Sequence, residues 1–419
     1  MRKHEEIRDV VIVGGGVAGL VAACLAAREG RSVTLLERSA QLGGRARTHE
    51  RERALFNLGP HALYRRGALM GVLRELGVRV SGGVPPASGW ALASGAMHVL
   101  PTGALSLMTT GLLDLGAKLK GARVLGQLGV MSTAGLNTVT VRDWLDGLNV
   151  STSLRHAVEA FIRVSTYANA PHLLPAGLAL AQLQMALRSG VLYLDGGWQS
   201  LVAGLAHQAR ALGVEILVDT PVRALETGSP HAVHTDERTH PARNVILAAP
   251  PEAIASWLPQ ARFPLTPVVA ACLTVSLRNL PRPDVNFVLG TDRPLYFSVH
   301  SRVARLGEGT VIHAALYLPP DHARSAQDDR EELRQLMDLA QPGWRNLLLA
   351  EEFLPRMTVV QSMPTVTQPR PDVDACGVPG VFLVGDWVGP EGMLADTAAT
   401  SARRAVQRLT ASQAWSAAA

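Results

Sequence analysis

The stretch that decides the fold is Asp9-Val-Val-Ile-Val-Gly14-Gly15-Gly16-Val-Ala18-Gly19-Leu20. It reads as a buried strand, a glycine turn and the start of a helix. Gly14 permits the tight turn, Gly16 lets backbone approach a pyrophosphate, and Gly19 lets the helix lie close on the sheet. The first turn of that helix, with Ala18 in it, offers free N–H groups and the positive end of a dipole to phosphate. Working outward, Val33-Thr-Leu-Leu-Glu37 is a second buried strand that ends in an acid placed to accept hydrogen bonds from a ribose diol. Arg38 stands beside it, and Gly43-Gly44-Arg45 follows. A lone glycine fingerprint is weak evidence. The strand before it, the helix after it and the acid beyond it make a dinucleotide site the better reading than a glycine-rich turn of another α/β fold.

At 419 residues the chain is long enough for two domains or one large composite. Its 47% hydrophobic and 18% charged residues are ordinary globular material. The net charge of +5 raises the question of nucleic acid. Arginine is scattered, however, and aromatics are only 5%, so the basic stripe with stacking side chains that nucleic acid requires is missing. Cys24, Cys272 and Cys376 stand singly, which implies a reducing compartment and neither a disulfide framework nor a metal site. Met1-Arg2-Lys3 imitates the start of a signal peptide, but Glu5, Glu6, Asp9 and the triple glycine argue against one. Two stretches, 81–113 and 164–187, contain no Asp, Glu, Lys or Arg. Both are interrupted by Gly or Pro, so neither reads as a spanning helix. The expectation is a soluble, cytoplasmic protein, with peripheral contact to a membrane surface left open and no oligomeric state assigned.

The pattern along the chain is a mosaic. Residues 8 to about 65 are βαβ-like, and 66 to about 190 read as mostly helical, with helices over 68–76, 105–131, 140–148, 154–163 and 178–188. Trp198 marks a strand–helix corner and opens a helix to Leu212; strands follow at 214–218, 220–225 and 244–249. Segments 268–277, 286–289, 295–299 and 310–318 read as a second, antiparallel sheet. Helix 330–340, strand 381–384, Gly385-Asp386 and a helix from about 395 to 409 close the chain. The last strand should join the first sheet in parallel and place Asp386 at a carboxyl end near the ligand crevice. The fold class is therefore α/β, α+β overall: a discontinuous Rossmann-like domain from 1–65, 191–262 and 372–419. A substrate domain of antiparallel sheet plus helices, 66–190 and 263–371, is inserted into it.

This layout, with these motifs, resembles the FAD-dependent superfamily of flavin amine oxidases, protoporphyrinogen oxidase and phytoene-type desaturases. Gly43-Gly44-Arg45 is similar to the family's GGR motif at the FAD pyrophosphate. Phe56-Asn57-Leu58-Gly59-Pro60-His61 resembles the segment that passes beside the flavin, its Gly-Pro pair in the desaturase-like form. Thr220-Pro221-Val222 resembles the strand whose valine backbone meets adenine. Gly385-Asp386 resembles the acid that holds the ribityl and pyrophosphate region, and Gly392-Met393-Leu394-Ala395 would bring the last helix to the flavin O2 edge. That helix dipole would favour the negative charge of reduced flavin. The resemblance implies FAD, held by Gly14, Gly16, Ala18, Gly19, Glu37, Arg38, Gly43, Gly44, Arg45, Gly59, Pro60, His61, Val222, Gly385, Asp386, Met393 and Leu394. A second fingerprint for NAD(P) is lacking, since Gly228 and Gly290 are isolated.

Lysine usage favours one branch. Lys3, Lys118 and Lys120 are the only lysines, so no residue can serve as the strand lysine typical of the amine oxidases. The aromatic wall expected before the final helix falls on Met393. Both departures point to a desaturase or dehydrogenase that passes hydride from an apolar substrate to flavin N5, the cofactor supplying the reactivity. The alternatives are a flavin amine oxidase using dioxygen and a redox-neutral flavin-binding protein. His61 is the candidate base, against the plainer reading of an imidazole bonded to backbone. The resemblance implies that the strands carrying Tyr296, His300 and His313 line a substrate cavity. Alternation sets Tyr296 and Ser298 opposite Phe297 and Val299. Tyr167 is a further pocket candidate, and Trp387 belongs beside the ring system or in the core.

Overall fold

The structure, a computed structural model, describes residues 6–416, with side chains as far as Leu409. Its main sheet is built around strand Arg8–Val13, which pairs in parallel with Val33–Leu36 on one side and with Thr239–Leu247 on the other. Glu215–Leu217 extends the sheet beyond Val33–Leu36, again in parallel. Thr239–Leu247 works in two halves. Its first half pairs antiparallel with His231–Thr235, and its second half pairs in parallel with Val381–Leu383 from the C-terminal region. Val10, Val11 and Ile12 have no exposed surface, as expected for a strand covered on both faces. Helices Val17–Arg28, Trp198–Ala211 and Leu394–Ser416 pack together over this sheet, and their apolar residues share one core with it.

A second sheet runs in the order Leu348–Val360, Val268–Leu277, Thr310–Leu318, Leu295–Val299, Phe287–Gly290, Trp90–Ala93, Ala96–Val99. It is antiparallel throughout except for one parallel pair, Phe287–Gly290 with Trp90–Ala93. Leu295, Phe297 and Val299 face a core that includes Leu333, Leu336 and Met337 of helix Ala326–Ala340. Tyr296 faces the other way, into a core built largely from the helices between Ala104 and Ser189.

Three expectations need correction. The region 66–190 is helical but also contributes the hairpin Trp90–Ala93/Ala96–Val99. Its turn, Ser94-Gly95, has positive φ at both residues (49° and 77°), the geometry that matches strand twist in a two-residue hairpin loop. The helix expected over 105–131 is two helices, Ala104–Thr109 and Leu115–Leu128, because the Asp114 carboxylate accepts from Ala117 N at 2.7 Å and starts a new one. Strand Leu348–Val360 was not foreseen. Glu351, Glu352, Pro355 and Arg356 disguise it, and they are tolerated because it is an edge strand with bulged pairing.

Cys24, Cys272 and Cys376 are free and buried, and burial pushes the thiols of Cys24 and Cys272 up to about 12. Among the described residues no helix is long and apolar enough to cross a membrane, and no acid–His–Cys group could hold a metal ion.

Candidate functional site

A cavity of about 760 Å³ opens along the carboxyl ends of the main sheet. The glycine turn forms one end of it. A Cβ at Gly14 would meet Ala248 O at 2.4 Å, and one at Gly19 would meet Gly14 O at 1.9 Å, so the first helix can close on the turn only with hydrogens at both positions. A Cβ at Gly16 would meet nothing nearer than Gly43 O at 4.0 Å, which leaves the backbone N–H groups approachable. The second glycine turn docks on the first through Gly43 N donating to Gly15 O at 2.8 Å. Glu37 is pinned by two amides: Gly15 N donates to Oε2 at 2.7 Å and Ser39 N to Oε1 at 2.9 Å. Each carboxylate oxygen keeps a further acceptor site.

Arg45 joins this end to the C-terminal strand. Its Nη1 donates to Asp386 Oδ2 at 2.6 Å and to Val359 O at 2.9 Å. Asp386 Oδ1 is buried and has no partner among the described residues. Ser401 of the last helix clamps the same strand end, accepting from Gly385 N and donating to Gly385 O, both at 3.0 Å. Arg370, buried, donates to Gly392 O at 2.9 Å and Thr397 Oγ1 at 3.0 Å, and so fixes the turn that enters the last helix. Burial lowers its guanidinium to about 10, which leaves it charged at neutral pH. Arg370 and Ser401 lie in no recognisable motif, and their roles follow only from the packing of the last helix.

Farther along the cavity Pro60 and His61 form the wall with Leu58, Ala62, Leu63, Tyr64, Tyr167, Met357 and Leu394. Tyr167 donates from its hydroxyl to Pro60 O at 2.9 Å. His61 packs on Trp198, ring centroids 4.9 Å apart, and its Nδ1 lies 3.0 Å from Gly59 O. An Nδ1–H donated to that carbonyl leaves Nε2 as an acceptor, and burial holds the imidazole below its usual value. Trp387 both lines the cavity and packs against Phe263.

Asp396, in the first turn of the last helix, also lines the cavity. Its Oδ1 accepts from Leu69 N at 2.9 Å and caps helix Ala68–Glu75, whose own N-cap, Gly67, has no side chain to do so. Oδ2 is buried without a partner, and burial raises the carboxyl to about 6.

Gly14, Gly16, Ala18, Glu37, Arg38, Gly43, Gly44, Arg45, Pro60, His61, Val222, Gly385, Asp386 and Leu394 all line the one cavity. Gly19 and Gly59 sit just behind it; a Cβ at Gly59 would strike Met357 Sδ at 2.7 Å. Met393 is also displaced from the wall. Leu394 takes a left-handed φ of 57°, which turns Met393 into the core and puts Leu394 in its place.

Tyr296 and His300 do not reach the cavity. They belong to a fully buried cluster in which Tyr296 Oη lies 3.2 Å from His300 Nε2 and from Tyr193 Oη. Tyr193 Oη is also 3.1 Å from Ser298 Oγ, and His300 stacks on the Tyr193 ring at 3.8 Å. His313 packs edge-on to His300 at 4.4 Å. Alternation placed Tyr296 and Ser298 on the same face, but Tyr193 of strand Val191–Leu194 covers that face.

Known proteins share this architecture. The family model for flavin containing amine oxidoreductases matches residues 17–410. A carotenoid 3,4-desaturase of Haloarcula japonica is 52% identical over 52 residues, 12% of this chain and 10% of that protein. An L-amino acid oxidase, Cdc18, of Crotalus durissus cumanensis is 50% identical over 56 residues, 13% of this chain and 11% of that protein. The chain thus matches only about a tenth of the length of these curated relatives. Among solved structures, an oxidoreductase from Methanosarcina mazei superposes with a TM-score of 0.76 at 16% identity, covering 95% of this chain and 99% of that one. A match across nearly the whole chain, on a fold shared end to end, leaves one reading: this chain belongs to the family of flavin containing amine oxidoreductases.

Proposed function

We propose that the chain oxidises an apolar organic substrate, as a desaturase or dehydrogenase does, and that FAD is held by the cavity residues named above. The site fits the cofactor: an unpartnered buried oxygen on Asp386, open backbone at Gly16, and a doubly anchored carboxylate at Glu37. Flavin held there would supply a two-electron acceptor for hydride from a substrate carbon.

The observation that carries this reading is the chemistry of the wall around His61. Leu58, Pro60, Ala62, Leu63, Tyr167, Met357 and Leu394 exclude water there and bind apolar surface, and among the described residues no lysine lines the cavity. Lys118 and Lys120 are elsewhere, their Nζ atoms donating to Met108 O and Asn149 O, and Lys3 lies outside the described residues. Among the described residues His61 is the imidazole in the wall, held by backbone hydrogen bonding at Gly59 and Arg45, and its neutral form is the candidate acceptor of a substrate proton. Its carbonyl partner, Gly59 O, sets the tautomer.

The short matches do not choose between branches, since a desaturase and an amino acid oxidase share them about equally. Anaerobic mixing of the flavoprotein with carotenoids, porphyrinogens and amines makes the choice. Bleaching of the flavin by an apolar substrate alone is expected. Bleaching by amines, with peroxide released on admitting air, would identify an amine oxidase. A flavin that no substrate bleaches would identify a redox-neutral protein.

A further inference from the structure

Away from the flavin cavity, Arg65, Arg66, Arg74 and Arg188 converge with Ser189 on a depression of about 330 Å³. No carboxylate lines it, and none of the four guanidiniums forms an ion pair among the described residues. Nearby Glu75 cannot neutralise them because Arg28 and Arg403 already occupy its carboxylate. Arg65 Nη1 donates to Ser189 O at 3.1 Å and Arg188 Nε to Gly129 O at 2.8 Å, so two of the four are held in place by backbone. Arg66 and Arg74 make no side-chain hydrogen bond among the described residues and are exposed. Four like charges gathered without a counter-ion repel one another unless an anion joins them. Guanidinium forks match phosphate oxygens in particular.

The rim is apolar. Leu187, next to Arg188, is 54% exposed, and Val130, next to the Gly129 carbonyl that Arg188 binds, is 76% exposed. Outside the rim, roughly 15–20 Å along the helix Leu115–Leu128 that ends at Gly129, Leu115 and Leu119 are also in solvent, 71% and 72% exposed. A soluble phosphate would leave these side chains in water. A bilayer would bury them beside its headgroups, as interfacial surfaces do.

We propose that this arginine depression and its leucine–valine rim dock the protein on an anionic phospholipid surface, with lipid phosphates seated among Arg65, Arg66, Arg74 and Arg188. The site is separate from the flavin cavity and does not depend on which substrate is oxidised.

The test is co-sedimentation of the flavin-loaded full chain with vesicles of phosphatidylcholine alone or doped with phosphatidylglycerol. Binding to the doped vesicles only, weakened by salt, is expected. Arg66→Gln/Arg74→Gln removes two charges that support nothing in the fold. At roughly 1 kcal/mol per basic residue near an anionic surface, it should lower partitioning about 30-fold with the flavin spectrum unchanged. Leu187→Ser should weaken binding without altering its salt dependence. Equal binding to both vesicle types, or a double variant that binds like wild type, would overturn the proposal. So would saturable binding of inorganic phosphate with no vesicle binding, or a concentration-dependent dimer that buries the rim.

Discussion

Arg45 Nη1 lies 2.6 Å from Asp386 Oδ2, joining residues 341 positions apart that both line the cavity. The pair ties the second glycine turn to the C-terminal strand, and the remaining Asp386 oxygen has no partner among the described residues.

Removing that carboxylate should release flavin. Hydrogen bonds to charged groups contribute about 1.5–3 kcal/mol, so Asp386→Ala should weaken FAD binding about 10- to 100-fold. Glu37→Gln should also weaken it, because an amide can accept from Gly15 N or Ser39 N but not from both. Titrating deflavinated protein with FAD measures both effects. Wild-type affinity in either variant would remove that residue from the cofactor site.

Two glycine-to-alanine changes should differ in sign. At Gly19 a methyl would lie 1.9 Å from Gly14 O, forcing the first helix off the turn, so Gly19→Ala should cost several kcal/mol and abolish flavin binding. At Gly71, inside helix Ala68–Glu75, nothing lies within 4 Å, and Gly71→Ala should gain about 0.5–1 kcal/mol. Thermal melts of the two variants check this.

Asp396 makes the fold less stable at alkaline pH. Burial raises its carboxyl from 3.8 to about 6, so the protonated form is the one the fold favours. That contribution is complete below the unfolded value and is lost as pH rises through 6, which costs about 3 kcal/mol at pH 8. Asp396→Asn keeps an acceptor for Leu69 N and removes the charge. It should raise the denaturation midpoint at about pH 8 and leave it unchanged at about pH 4. An equal shift at both would point to packing instead.

The buried histidines act in the opposite direction. Burial lowers His61, His300 and His313, the last to about 3. Their neutral forms contribute stability above the unfolded value near 6.5, and this is lost as pH falls toward the folded values, at about 1.4 kcal/mol per pH unit for each imidazole. His313→Asn, which can still accept from Thr274 Oγ1, should flatten the loss of stability between about pH 6.5 and pH 4. Unfolding curves across that range give the slope.

The parts of the site that were legible in sequence are those whose chemistry is local. Gly14–Gly19, Glu37 and Gly43–Arg45 act through backbone turns that each residue type imposes on itself and its neighbours. Alternation puts Tyr296 and Ser298 on one face of their strand, yet what covers that face is Tyr193, about a hundred residues away in sequence. The burial of Met393 behind Leu394 is not legible in sequence, because a left-handed leucine carries no compositional signal. The Arg370 clamp, the Ser401 clamp and the Asp396 cap depend wholly on where the last helix lands.

The sequence by itself determined the kind of cofactor and the alternation of buried strands and helices. Turn sterics and hydrophobic period are properties of a few adjacent residues. The tertiary structure alone decided that Arg45 pairs with Asp386, which side chains wall the cavity around His61, and which titratable groups lose their water. Those outcomes come from packing segments hundreds of residues apart, where burial and partner geometry set a group's chemistry and residue type does not.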